Sequence, residues 1–198
     1  MTIPRRRFIA MTTATLASGG LALAGCTTTG PSSDTSPEAN AAKRQTIDAD
    51  VDGTLARLFN SIGGSRELAD KSRGMLVFPS VIAAGFWFGG QYGQGALRVG
   101  AQTSGYYSIT AASFGLQIGA QSKAIVMLFM TDDALSSFTR SQGWAAGVDA
   151  TVAVLKVGAN GNVDTSTATS PVEAFVLTNA GLMAGVSLEG SKISRLII

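Results

Sequence analysis

From Met75 onward the chain is a series of short apolar or alternating runs broken by glycine, and this texture constrains the fold more than any other feature. Runs of that length bounded by turn residues are strand-sized. In one of them Phe114, Leu116, Ile118 and Ala120 alternate with Gly115, Gln117, Gly119 and Gln121, so one strand face is apolar and the other carries glycine and glutamine. The chain holds 24 glycines, and glycine weakens a strand unless the sheet bends sharply or another backbone approaches closely. A strongly curved, mainly antiparallel sheet or partial barrel is therefore expected. Its strands are read at Met75 to Phe78, stopped by Pro79, then at Phe86 to Tyr92, Gly95 to Gln102 and Tyr106 onward. Further strands are read at Ala124 to Met130, Val148 to Val157, Val172 to Thr178, Leu182 to Leu188 and Ile193 to Ile198, with a turn over Gly158 to Asn162.

Ahead of this region the period changes. Ile47, Val51, Leu55, Leu58, Phe59 and Ile62 fall within an arc of about 120° on a helical wheel, which predicts an amphipathic helix from Ile47 to Ile62, ended by Gly63 and Gly64. Asp48, Asp50 and Asp52 suit its first turns, although Asp48 falls on the apolar arc, and Gly53 weakens it by about 1 kcal/mol. Ser65 is expected to cap a short second helix through Glu67, Leu68 and Lys71, and Asp132 to cap another over residues 132–141. The class is α+β, with the N-terminal helix packed on the sheet.

The first residues read as an export leader. Arg5, Arg6 and Arg7 precede the apolar and small stretch from Phe8 to Leu23, which ends in Leu23, Ala24, Gly25 and Cys26. That order matches a lipobox, so residues 1–25 are expected to be removed and Cys26 to become the acylated first residue. Arg5 to Ile9 fit both an ordinary positive leader and a twin-arginine signal. Thr27 follows where aspartate would mark inner-membrane retention, which points to the outer membrane, facing the periplasm. Residues 26–45, rich in Thr, Ser, Pro, Asn and Ala, read as a flexible tether, leaving 46–198 as the domain.

Composition removes several function classes. The chain has 15 basic and 13 acidic residues, three of the basic ones in the leader, so no excess of cations is left to suggest nucleic acid binding. It has no histidine and one cysteine, which withdraws the usual ligands of zinc, copper and haem and the usual catalytic triads. Neither an enzyme nor a cofactor is expected. Gly93, Gly95 and Arg98 fail the dinucleotide pattern, and a strand follows instead of a helix. Asn160, Asn162 and Asp164 have calcium-loop spacing, but Thr165 and Pro171 stand where glycine and glutamate are needed, so no metal site is assigned. Trp87, flanked by Phe86 and Phe88, points opposite to both on a strand and suits either a core or an exposed lipid or partner surface.

Taken in order, several blocks resemble the SYLF domain, a lipid-binding family that includes yeast endocytic actin-binding proteins and bacterial lipoproteins. They are Lys71 to Pro79, Ala84 to Gly95, Gly115 to Ala120, Gly143 to Val148 and Gly181 to Gly190, within a region from Asp48 to Ile198. The resemblance implies phospholipid binding through an amphipathic N-terminal helix and nearby basic residues, and actin binding in the fungal branch only. Arg66, Lys71, Arg73, Arg98 and Lys123 are the candidate headgroup contacts, with Trp87 beside them. The expected protein is thus a non-catalytic, membrane-anchored phospholipid binder. A structural or protein-interaction module with an envelope partner is the alternative.

Overall fold

The computed structural model describes residues 36–85, 88–114, 119–156, 162–163, 169–179, 181–183 and 186–198. Cys26 and Trp87 lie outside them, as does most of the turn expected over 158–162.

Helix α1 spans Pro37–Ser61, ten residues more at its start than the apolar period predicts. Ser36 caps it, its hydroxyl accepting from the Ala39 N–H at 3.1 Å, and Pro37 occupies the first turn, where a missing N–H costs nothing. The segment Ala39 to Gln45 is rich in good helix formers but has no apolar period, so it reads as a tether by pattern and folds as helix by propensity. Residues 37–45 therefore belong to the helix and not to a flexible linker. The expected apolar arc is buried at Ile47, Val51, Leu58 and Ile62. Helix α2, Ser65–Lys71, follows a left-handed Gly64 with φ 79°. Ser65 is not its cap: the hydroxyl donates to the Ile62 carbonyl at 2.6 Å and closes the end of α1.

Nine strands form one sheet: β1 Gly74–Gly85, β2 Phe88–Val99, β3 Gln102–Phe114, β4 Gly119–Phe129, β5 Gly143–Ala145, β6 Val152–Val154, β7 Val172–Thr178, β8 Gly181–Leu182 and β9 Lys192–Leu196. The order is β5-β9-β3-β2-β1-β4-β7-β6, with β8 against β7, and among the strand pairings of the described residues only β6–β7 is parallel. The sheet is strongly curved, a half-barrel, and the class is α+β as expected. Helix α3, Asp132–Arg140, lies between β4 and β5; Thr131, one residue before the expected Asp132, caps it by accepting from the Ala134 N–H at 3.2 Å.

Pro79 does not stop β1. Register shifts against both neighbours, at Val77/Ser80 toward β2 and Phe78/Val81 toward β4, place the proline in a bulge where no ladder hydrogen bond is required of it. The glycines facing the bulge make room for it. A Cβ on Gly95 would collide with the Val77 carbonyl, and one on Gly93 would come within 2.8 Å of the Ser80 carbonyl. Three other expectations change in extent. The two runs Phe86 to Tyr92 and Gly95 to Gln102 are largely one strand, β2. The run from Val148 contributes only β6, with Val148 itself 81% exposed, and that from Leu182 contributes only β8.

Both faces of the sheet are covered. On one side α1 and α2 bury Val51, Leu58 and Leu68 against Val77, Ala96, Val126, Leu128 and Phe175. On the other, Phe138 of α3 and Trp144 pack on Leu76, Phe129 and Tyr107; Phe138 lies 4.9 Å from both the Tyr107 and Phe129 rings. Strand alternation divides the apolar residues between these two layers.

Candidate functional site

The five basic residues singled out from the sequence do not converge on one surface. Arg66 lies on α2 with its guanidinium 4.3 Å from the centre of the Phe59 ring, a cation–π contact. Lys71 pairs with Glu67 one helical turn back at 2.8 Å; the hydrogen bond from Lys71, then its charge, holds the Glu67 carboxyl below the usual range. Arg73 faces Asp132 at 3.5 Å, both side chains exposed.

Arg98 is the most enclosed of the set, with its side chain 13% exposed. It reaches from β2 to α1, donating to Asp52 at 2.7 Å and lying 3.5 Å from Asp48. Asp48 also accepts from the Thr103 hydroxyl at 2.7 Å and the Tyr106 phenol at 2.8 Å. This group latches the helix to β2 and β3 and accounts for the aspartate on the apolar arc. Burial first, then the bond to Asp48, pushes the Tyr106 phenol above its ordinary pKa. The Arg98 Nε is buried and has no partner among the described residues.

Lys123 stands apart on β4, opposite Val81 and two residues from Ile125, which places it on the α3 side of the sheet. Burial pulls its pKa down. Arg73 and Arg98 share a cavity, about 230 Å³ in volume, and Asp70 lines it with them. Lys71, Arg73 and Arg98 are each met by an acid, so they offer a passing phosphate little net field.

The apolar arc of α1 is likewise occupied, since Ile47, Val51, Leu58 and Ile62 face the sheet and not solvent. Among the described residues no helix is long and apolar enough to cross a membrane, and no group of three or more His, Cys, Asp or Glu could hold a metal ion. Sequence reasoning missed Thr103 and Tyr106, whose role depends on a contact across more than 50 positions. The signal that could have found them was Asp48 itself, an acid on the face that had to be buried.

The arrangement defines a class: an α+β half-barrel with helices on both faces, α1 being held to the sheet by the polar group around Asp48 and Arg98. Residues 110–196, from within β3 through β9, match the model of the Ysc84 family, described as Las17-binding protein actin regulator. The SYLF resemblance read from the sequence therefore stands over that stretch. No curated protein matches the chain.

Proposed function

We propose that the protein is a non-enzymatic binding module, held at the cell envelope by an acyl chain on Cys26, whose SYLF-type domain contacts phospholipid. The observation that carries the reading is the family match over residues 110–196, which supports a lipid- or actin-binding type of module. The apolar arc of α1 is folded into the core and three candidate cations face acids, which supports a contact that depends on the anchor. An anchor raises the local concentration of headgroups, so weak contacts suffice. Thr27 after Cys26 supports an outer-membrane address facing the periplasm.

Two measurements test this. Cells fed an alkynyl palmitate should label the wild-type protein and not the Cys26→Ala variant. The chain from residue 26 onward carrying Cys26→Ala, and so without the apolar leader, should co-sediment weakly with phosphatidylglycerol vesicles at low salt; no acyl label, or no vesicle binding, refutes the corresponding half.

A second reading, a module that meets an envelope protein, is favoured by one observation. Ile82 and Tyr92 are cross-strand neighbours, 54% and 49% exposed, on the part of the sheet beyond α1. The description of the family is also of a protein that binds a protein. A discrete crosslinked adduct through Tyr92 that persists after lipid extraction would support this reading over the first.

A further inference from the structure

We propose that the cleft between the start of β3 and residues 195–198 binds the phosphate of an anionic headgroup, with Arg195 as its principal cation. The proposal rests on the phospholipid reading for the source of that phosphate; a soluble phosphate ester offers the same chemistry.

The cleft arises from two irregularities at one corner of the sheet. Between β2 and β3 the register shifts, so that Leu97 faces Gly105 and Arg98 faces Thr103, leaving Ser104 with no opposite residue. Such a bulge takes its residue out of the ladder and re-aims the side chain. On the other flank of β3 the pairing with β9 ends at Leu196 opposite Tyr106, and Ile197 beyond it is 99% exposed. The space between is about 360 Å³, lined by Thr103, Ser104, Gly105, Tyr106, Arg195 and the three residues after it. That is the lower range of small-molecule sites, enough for a phosphate with its glycerol.

The wall is held from behind. Thr103 and Tyr106 turn their hydroxyls to Asp48, whose charge is met by Arg98, so these two position the wall and are not available to a ligand. What remains for a ligand is the Ser104 hydroxyl, the Arg195 guanidinium, which shares the face of Tyr107 opposite it, and the apolar side chain of Ile197 two residues on. Arg195 takes part in none of the ion pairs among the described residues, in contrast to Lys71, Arg73 and Arg98. A guanidinium fork with a neighbouring hydroxyl is phosphate-binding chemistry, and the apolar rim suits the ester that follows a lipid headgroup.

The experiment uses the chain from residue 26 onward carrying Cys26→Ser, so that neither an acyl anchor nor the apolar leader masks binding. Glycerol 3-phosphate is titrated into the ¹⁵N-labelled protein, and co-sedimentation is measured with phosphatidylglycerol and with phosphatidylcholine vesicles. Each arm is repeated for Arg195→Gln and for Arg57→Gln, an exposed cation elsewhere on α1. Saturable shifts at the Ser104 and Gly105 amides are expected, weakened about tenfold by Arg195→Gln and less than about twofold by Arg57→Gln. Phosphatidylglycerol binding should fall in parallel, with unchanged thermal midpoints showing that the variants fold. Shifts spread evenly over the surface, or equal losses in both variants, overturn the site. Vesicle binding that ignores Arg195, with no shift at Ser104, overturns the site and leaves the phospholipid reading standing. Shifts at Ser104 without vesicle binding support the site and overturn the lipid as its source.

Discussion

Replacing Asp48 by alanine tests whether the latch between α1 and the sheet carries stability. The substitution removes the acceptor of the Thr103 and Tyr106 hydroxyls, at 2.7 and 2.8 Å, and the farther of the two carboxylates, at 3.5 Å, that meet an arginine itself 13% exposed. A hydrogen bond to a charged group contributes roughly 1.5–3 kcal/mol, and loss of both would sum to several. Asp48 is 30% exposed, however, so water replaces part of what is lost, and Arg98 keeps Asp52. We expect a net loss of about 2 kcal/mol, or roughly 4–8 °C in thermal midpoint for a domain of this size. The control is Asp50→Ala, on the exposed side of the same helix, where the change should stay within about 0.5 kcal/mol. Urea unfolding of both variants gives the comparison, and a cycle with Tyr106→Phe should show a coupling of about 1 kcal/mol. If Asp48→Ala and Asp50→Ala unfold alike, or the cycle shows no coupling, the latch does not hold the helix.

Two glycine substitutions should move stability in opposite directions. Gly53→Ala on α1, where an added Cβ meets nothing within 4 Å, should raise it by up to about 1 kcal/mol in urea titration. Gly95→Ala drives a methyl onto the Val77 carbonyl and within 2.8 Å of the Phe78 ring, and should lower it by more than about 2 kcal/mol in the same assay. Burial raises the pKa of the Glu173 carboxyl above its ordinary value of 4.5, partly opposed by the bond from the Ser170 N–H. The stability it carries is complete below 4.5 and is lost as pH climbs through the raised value, so Glu173→Gln should match wild type near pH 4 and melt higher near pH 8. Tyr106 and Tyr107 are both raised from 10.0 by burial, so stability linked to them should fall once pH exceeds 10.0, and Tyr106→Phe should flatten that part of the denaturation profile.

The parts of the fold that repeat locally were legible. The period of Ile47, Val51, Leu58 and Ile62 marked the buried side of α1, and the continuous apolar run from Ala124 marked β4, which is covered on both faces. Features that depend on distant partners were not. Pro79 reads as a strand stop because its bulge is visible only against β2 and β4 together. The start of α1 was missed because helix propensity without an apolar period looks like linker. For the site, the residue types could be chosen but not their partners: Arg98 and Asp52 are 46 positions apart, and Arg73 and Asp132 are farther still. A cation's availability is a tertiary property, and Arg195 was passed over because an exposed arginine on a strand carries no local mark.

The bulge at Pro79 also sets the parity of β1. Before it the even-numbered Leu76 and Phe78 face α3 while Val77 faces α1; beyond it the odd-numbered Val81 faces α3. Residues 80–83 are thus written in the opposite frame from residues 74–78. Deletion of Pro79 would bring Val81 to two positions from Phe78 and restore plain alternation, with Val81 still facing α3 and Ile82 still facing α1. The bulge thus absorbs one extra residue without exchanging the inside and outside of the strand beyond it.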